Sequence, residues 1–446
     1  MRVAKPIAIA LVCAVMILAR GALAGGPYTV DDVNNTGVAQ RWVNDTMEWY
    51  VGDGKLSSLV SNATATQWIK DQLAKWTGAT LRGAGNNSVS TAVVKTTFKG
   101  SVGVVIDASN YKNFFNNPSE PRTVIVFDST GDIFADLAGP ENRNTIVGLT
   151  DLEISDPSGL QIKKGFQVFN GPMLGNGTLS ADQATAQSLF QAMILHELGH
   201  LLNLDHAQVN YDISTVCVRN GKCDNGNHIA TMYPELLTPS QGVLAYDDII
   251  TLSWVYPSSD FTKNFCTITG EIFDKSGAPL KGVNVIATRY GEGDTAAMVD
   301  TRSMVSGVMK PECIGDSRYY LHGIVPGHKY QVTYEPIGSE FSGASDFEPL
   351  PNPPAGFNGG IIPSPSGDVS VSCDSGGGTI EMASATVDTP NPCASSKSGA
   401  GNSNASAQSG TSSKCSLVPM GDFSIFPVAF LALAAAAIGV RRSSRR

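Results

Sequence analysis

Three histidines and one glutamate fall within eleven residues of this 446-residue chain. His196 and His200 are four positions apart, and a helix places side chains at that spacing one above the other, so both imidazoles would face one point. Glu197 is one position round the same helix, near enough to reach a metal-bound water without being a ligand. His206 follows as a third imidazole, and three histidines leave one zinc position open for water. The pattern predicts a zinc site with Glu197 as general base.

A helix must hold the first two histidines, and the chain must then reverse. Ala181–Leu202 is rich in helix-forming residues and contains no proline, which predicts that helix. Ser180 and Gln183 have the spacing of a capping box at its start. Asn203 stands where the helix must end before His206. A left-handed backbone is cheapest there for glycine and next for asparagine, at a cost of about 1 kcal/mol, so we expect a left-handed Asn203.

The segment 196–206, HELGHLLNLDH, resembles the extended zinc-binding signature of the metzincin metalloendopeptidases, with Asn203 where that family has glycine. The segment 230–234, ATMYP, resembles the methionine turn of the same family. Two histidines flanking a glutamate can arise by chance on a helix, but the third histidine and the Met-Tyr-Pro turn make the pattern specific. The resemblance implies these roles: zinc ligands His196, His200 and His206, general base Glu197, and a hydrophobic floor at Met232.

The Met-Tyr-Pro form of the turn, followed by DDII at 247–250 and WVYP at 254–257, is similar to the matrixin branch of that family. The resemblance covers about residues 28–257. Residues 207–229 are longer than a compact matrixin needs, which we interpret as a loop inserted beside the cleft. No cysteine lies between Ala24 and His196, so a propeptide thiolate cannot cap the zinc.

The acidic segment 128–132, DSTGD, with Asp136 beyond it, could form a calcium-binding loop. Calcium is common in the resembled family, so Ca²⁺ is a candidate cofactor beside Zn²⁺. The segment lacks the full series of oxygen ligands that a calcium loop uses, which favours an ordinary acidic turn.

Two composition regimes divide the middle of the chain. Residues 25–260 alternate helical and strand patterns, including a predicted helix at 65–76 and a buried strand at 123–127, and we expect a metzincin-like α+β catalytic domain with a mixed twisted sheet. Residues 265–390 carry short apolar alternations broken by turn residues, which predict an all-β sandwich. This second part resembles prealbumin-like sandwiches found as regulatory or spacer modules beside exported peptidases. Its His322 and His328 are expected at the surface or in turns rather than as metal ligands.

The cysteines between the predicted signal and the predicted tail are even in number, which is typical of disulfide-bonded proteins from an oxidising compartment. Cys217 and Cys223 are close enough to close a small loop. Another four allow three pairings that the sequence does not choose between: Cys266, Cys313, Cys373 and Cys393.

Both ends of the chain predict export. Residues 1–24 have the basic, apolar and small-residue parts of a secretory signal. Residues 394–414 are a Ser/Gly-rich linker, and 415–446 combine Cys415, an apolar stretch at Phe423–Val440 and terminal arginines. This tail resembles the sorting signals of bacterial surface proteins, and a permanent single-helix membrane anchor is the alternative. We expect an exported bacterial protein, at the cell surface or outer envelope or extracellular.

The formal charge of −9 disfavours a nucleic-acid partner, because phosphate binding needs a basic surface. The partner we expect is therefore a protein or peptide substrate. The sequence leaves open both membrane association through the tail and the oligomeric state. The hypothesis is a zinc-dependent endopeptidase. The alternative is a surface adhesin with a non-catalytic zinc site, which the open fourth zinc position disfavours.

Overall fold

The computed structural model describes residues 25–30, 38–83, 87–115, 117–154, 160–210, 228–307, 316–337, 356–391 and 411–416. The predicted signal, the predicted linker up to residue 410, the predicted membrane helix and the cysteines at 217, 223, 313 and 393 lie outside these residues. Within the described residues, no helix is long and apolar enough to cross a membrane.

The described chain is a mixed α+β structure. Its helices are α1 Asn62–Thr77, α2 Asp132–Ala138, α3 Gln183–Leu201, α4 Tyr246–Val255, α5 Ser259–Asn264 and α6 Asp294–Val299. Its first strands are β1 Arg41–Trp42, β2 Thr46–Val51, β3 Thr80–Arg82, β4 Ser88–Ser90, β5 Lys95–Ser101, β6 Thr123–Asp128, β7 Ile146–Ile154 and β8 Gln161–Asn170. The later strands are β9 Cys266–Asp274, β10 Asn284–Arg289, β11 Thr301–Val305, β12 Arg318–Ile324, β13 Lys329–Glu335, β14 Gly360–Ile362, β15 Val371–Ser372, β16 Thr379–Glu381, β17 Ala385–Val387 and β18 Thr411–Ser416.

The first part of the chain, here called the α/β region (residues 25–264), is built on a large mixed sheet, to which β18 from the end of the described chain adds an edge strand, while β3 and β4 pair separately. The strand order of the large sheet is β18-β7-β8-β6-β2-β5, and β1 pairs with β8. The neighbours from β8 to β5 run parallel, whereas β7 pairs antiparallel with both β8 and β18. Successive side chains of β6 alternate between two cores, with Ile125 and Phe127 under α1 and α3 and Val124 and Val126 under α2. A strand buried on both faces explains its continuous apolar sequence.

Helix α1 confirms the predicted helix and extends it at both ends. Ser61 caps it, since its side chain accepts a hydrogen bond from the Thr64 backbone N–H at 3.2 Å. Ile69, Leu73 and Trp76 recur on its buried face. The indole N–H of Trp76 donates to the Leu195 carbonyl at 2.9 Å, which joins α1 to α3.

The predicted capping box of α3 is wrong. The cap is Asp182, whose carboxylate accepts from the Thr185 backbone N–H at 2.8 Å and from its hydroxyl at 2.7 Å. Ser180 instead accepts from the Asp182 backbone N–H. A charged carboxylate is the stronger acceptor for the exposed N–H groups and also favours the positive end of the helix, so the helix begins at Gln183.

The second part, here called the β region (residues 266–391), contains two further sheets. One has the order β11-β10-β13-β14 with β15 paired to β13, and the other has the order β12-β9-β16 with β17 paired to β9. Both contribute side chains to one core, including Val285 and Ile268. A disulfide joins Cys266 to Cys373, which decides one of the open pairings.

Candidate metal centre

Three buried histidines converge at the end of α3. The ring nitrogens that His196, His200 and His206 offer as ligands all lie within 4.8 Å of one another, and among the described residues no other group of three or more His, Cys, Asp or Glu lies close enough to hold a metal ion. The ring centroids are 4.8 Å apart for His196 and His200, 5.2 Å for His196 and His206, and 4.8 Å for His200 and His206. The structure thus brings together all three predicted ligands.

Asn203 reverses the chain between the second and third histidines. Its φ of 68° confirms the expected left-handed backbone. Its side-chain oxygen accepts from the Thr29 backbone N–H at 2.7 Å and from the Thr29 hydroxyl at 2.8 Å. Its amide N–H₂ donates to the carbonyls of Thr29 at 2.9 Å and Gln40 at 2.5 Å. Glycine would adopt this backbone more cheaply but could not make these four buried hydrogen bonds, which explains why asparagine suits this position.

Backbone carbonyls orient the first two imidazoles. The Nδ1 atom of His196 lies 2.7 Å from the Thr231 carbonyl oxygen, and that of His200 lies 2.8 Å from the Leu204 carbonyl oxygen. A carbonyl only accepts, so each Nδ1 carries the hydrogen and each Nε2 keeps its lone pair.

The remaining nitrogens match a metal. The two Nε2 atoms are 3.0 Å apart. Neutral rings of this tautomer cannot hydrogen-bond to each other through Nε2, whereas a cation between them interacts with both lone pairs. Two nitrogens at 2.0–2.1 Å from a tetrahedral zinc ion would be roughly 3.4 Å apart, so the nitrogen pair of His196 and His200 fits such an ion with a small adjustment.

Burial keeps the histidines uncharged. It lowers the pKa of His196 to about 4. Burial, and secondly the neighbouring imidazoles, hold the pKa values of His200 and His206 well below the usual 6.5. A metal ligand must be neutral, so the site has the required protonation state at neutral pH.

Glu197 lies beside the histidines and against β7. Its side chain is fully buried. The Thr150 hydroxyl donates to Glu197 Oε2 at 2.7 Å, and the Gln167 amide N–H₂ donates to the Thr150 oxygen at 3.0 Å. A side chain at Gly148 would overlap Glu197 Cγ, so this glycine lets β7 pass close to the carboxylate. Sequence analysis missed Thr150, Gln167 and Gly148, because nothing in an alternating strand marks which residue faces the site.

Met232 packs against α3 at Gly199, the residue before His200. A Cβ at Gly199 would overlap the Met232 sulfur, so this glycine lets the thioether contact the helix. Asp248 holds the turn in place: one carboxylate oxygen accepts from the Met232 N–H at 2.9 Å, and the other accepts from the N–H groups of Thr231 at 2.8 Å and Ala245 at 2.7 Å.

In the acidic segment at the end of β6, the Asp128 carboxylate accepts hydrogen bonds from nearby backbone N–H groups. Asp128 accepts hydrogen bonds from the N–H groups of Gly131 at 2.9 Å and Ile133 at 2.8 Å, with further bonds from Thr130 and Phe134. Asp136 pairs with Lys112 at 2.8 Å. These contacts favour the ordinary acidic turn over a calcium loop.

The expectation for His322 is wrong. It lies half-buried within β12, where its Nδ1 is 2.9 Å from the Thr267 hydroxyl and its ring centroid is 5.1 Å from that of Trp254. Trp254 belongs to α4, so this histidine packs where the α/β and β regions meet.

Comparisons with known proteins leave the family open. No protein-family model and no curated protein matches the chain. Similar solved structures include the dioxygenase domain of a dioxygenase carbohydrate-binding protein fusion from the cellulolytic bacterium Streptomyces sp. SirexAA-E, at 14% identity over 30% of this chain and 85% of that chain, with a TM-score of 0.15. Another is 3-chlorocatechol 1,2-dioxygenase from Rhodococcus opacus 1CP, at 11% identity over 30% of this chain and 62% of that chain, with a TM-score of 0.17.

A third is catechol 1,2-dioxygenase from Acinetobacter sp. ADP1 inhibited by bound mercury, at 12% identity over 30% of this chain and 55% of that chain, with a TM-score of 0.13. Similarity at these TM-scores carries no argument about fold or function.

Proposed function

We propose that this protein is a zinc-dependent endopeptidase with a metzincin-like, matrixin-type catalytic domain. The observation that carries the proposal is the convergence of three buried, neutral imidazoles with the carboxylate of Glu197 one helix position away. His196, His200 and His206 would hold the ion. When bound, zinc would supply Lewis acidity toward a peptide carbonyl and a water of lowered pKa.

Glu197 is the proposed general base and acid. It removes a proton from the attacking water and returns it to the amine of the cleaved peptide bond. The hydrogen bond from Thr150 fixes one of its oxygens, and Gln167 in turn orients the Thr150 hydroxyl. Met232 packs under the helix that carries the ligands and limits its movement. These groups work from fixed positions, which general acid–base catalysis requires.

The cellular context remains part of the same proposal. A predicted secretory signal at 1–24 and a predicted sorting or anchoring tail at 415–446 would place the enzyme on or outside a bacterial envelope. Its substrate class would be proteins or peptides met there.

The experiment is a comparison of the full chain with its Glu197→Gln variant. Both proteins should bind one zinc ion each, since Glu197 is not a ligand, and only the wild type should cleave casein or a peptide library. We expect the variant to lose about 10²–10⁴-fold in rate, the contribution of a general base. A chelator should abolish wild-type cleavage and added zinc should restore it. Zinc-loaded wild type that cleaves nothing would favour the adhesin alternative instead.

A further inference from the structure

We propose that the β region is part of the metal centre, and that Asn284 is a positioning residue for the third ligand. This inference rests on the metal-binding part of the proposed function and not on hydrolysis. It differs from the spacer or regulatory role that the prealbumin resemblance implies.

His206 depends on contacts outside its own element. His196 and His200 are fixed by the helix, whereas His206 lies on irregular backbone after the reversal at Asn203. The segment 204–210 therefore keeps its place only through its neighbours. One of these contacts is the hydrogen bond from the Ala207 N–H to the Met232 carbonyl at 2.9 Å, which ties the segment to the methionine turn.

Two residues beyond His206, a buried polar network from the β region holds Gln208. The Asn284 side-chain N–H₂ donates to the Gln208 backbone carbonyl at 3.1 Å and to Glu335 Oε1 at 3.0 Å. The Gln208 side chain donates to the same Glu335 oxygen at 3.0 Å and to the Pro336 carbonyl at 3.2 Å. Asn284 is 0% exposed and Gln208 is 1% exposed. Within the described residues the Asn284 Oδ1 atom has no hydrogen-bond partner, so the hold of Asn284 on the segment comes from its N–H₂ group. Buried hydrogen bonds that share partners in this way favour one arrangement of the chain.

The methionine turn rests on the same region. Tyr233, next to Met232, is fully buried in the core that the two sheets of the β region share, together with Ile229 and Leu237. Asp248 holds the turn, while the adjacent Asp247 accepts a hydrogen bond from the backbone N–H of Ser303 on β11 at 2.7 Å. Both backbone segments that complete the site around α3 are therefore packed on the β region.

This arrangement distinguishes a positioning role from a spacer. A spacer needs only an exposed, polar contact that leaves its neighbour's geometry unchanged. Here the contact is buried, hydrogen-bonded and two residues from a proposed ligand. Asn210, at the end of the same segment, adds a hydrogen bond from its side chain to the Met298 carbonyl at 3.0 Å.

The test uses Asn284→Leu in the full chain, with Thr269→Val as a matched control. Thr269→Val removes one buried side-chain hydrogen bond, to the Tyr319 carbonyl at 2.7 Å, that lies wholly within the β region. Zinc affinity is measured by chelator competition, and Co²⁺-substituted protein is compared by its visible absorption. We expect Asn284→Leu to weaken zinc binding about tenfold, at the low end for partners beyond the ligands, and to alter the Co²⁺ spectrum. Thr269→Val should change neither.

Equal zinc affinity in the two variants would overturn the inference. If Asn284→Leu fails to fold, as judged by circular dichroism, Asn284→Ala removes the same donor with less steric disturbance and should weaken zinc binding in the same direction. A wild-type protein that binds zinc but cleaves no peptide would refute the endopeptidase and leave this measurement valid.

Discussion

The α/β and β regions both bury charged or titratable side chains, but they compensate for that burial differently. In the β region, Arg302 is 1% exposed and forms an ion pair with Asp300, while its guanidinium lies 4.7 Å from the centre of the Tyr330 ring. In the α/β region, three buried histidines instead bring ring nitrogens within 4.8 Å of one another. A buried cluster that contains both charges compensates its own burial, whereas a cluster of nitrogen donors could hold an ion taken from solution.

The largest expected effect comes from breaking the internally paired cluster. Arg302→Met leaves Asp300 buried with one fewer cation, although Arg289 still pairs with it at 2.5 Å. We expect the free energy of unfolding to fall by about 3 kcal/mol, the low end for breaking a buried ion pair. Denaturant unfolding measures this, with Arg318→Met at an exposed ion pair as the control that should lose less than about 1 kcal/mol. Equal losses in the two variants would show that burial does not distinguish the pairs.

The histidine cluster should make the chelated protein acid-sensitive. Because the folded pKa of His196 is lowered to about 4, the unfolded chain, with a pKa near 6.5, binds more protons between those values. Stability should therefore fall as the pH drops from about 6.5 to 4, by up to about 3 kcal/mol for this one residue. Thermal unfolding across that range measures the slope. His196→Asn, also chelated, should have a shallower slope, and an unchanged slope would exclude this origin.

Asn203→Gly compares two contributions to the stability of the chain reversal after α3: the hydrogen bonds of the asparagine side chain and the strain of its left-handed backbone. Glycine relieves about 1 kcal/mol of left-handed strain. It also removes four buried hydrogen bonds, each contributing about 1 kcal/mol, and leaves partners on Thr29 and Gln40 without the amide. We expect a net loss of about 3 kcal/mol and weaker zinc binding, measured by thermal unfolding and chelator competition. A more stable variant would mean that the backbone term is the larger one.

The smallest expected change in stability comes from Asp247→Asn, which distinguishes Asp247 from its neighbour Asp248. Burial raises the pKa of Asp247 to about 7, and within the described residues no group donates to its Oδ2 atom. Between about pH 4 and 7 the folded protein therefore keeps the proton on Asp247 that the unfolded chain has lost, and the free energy of unfolding falls as the pH rises through this range. Asp247→Asn keeps the acceptor for Ser303 and removes the charge, although its new N–H₂ lacks an acceptor. We expect a gain of about 1 kcal/mol at pH 8, or ~2–4 °C in Tm, that shrinks as the pH falls toward 4.

The matched control is Asp248→Asn at pH 8. Both oxygens of Asp248 accept backbone N–H groups, so an amide N–H₂ would face a donor at one of them. This variant should lose stability. The same sign of change in both variants would contradict the distinction between the two carboxylates.

Features set by neighbouring residues could be predicted from the sequence. The four-residue spacing of His196 and His200, the helix at α1 and the left-handed Asn203 all follow from local geometry. The start of α3 was mispredicted because Ser180 and Asp182 both suit a cap, and the relative strength of two acceptors decides between them.

Features set by distant parts of the chain could not be predicted. Thr150 meets Glu197 only because β7 passes beside α3, and Asn284 reaches Gln208 only after the β region packs against the site. Register and packing of this kind leave no periodic trace in the sequence. The pairing of Cys266 with Cys373 likewise depends on the folded β region.

The bonds of Asn203 set a limit on how much of the chain's amino-terminal side could be trimmed. Three of the four go to Thr29 alone, through its N–H, hydroxyl and carbonyl. Residues 25–28 contact the same bend, since the Tyr28 N–H donates to the Asn203 carbonyl at 2.8 Å and the Asp205 N–H donates to the Gly26 carbonyl at 3.0 Å. Proteolysis that removed these residues would weaken the turn that delivers His206, and a cut beyond Thr29 would release it.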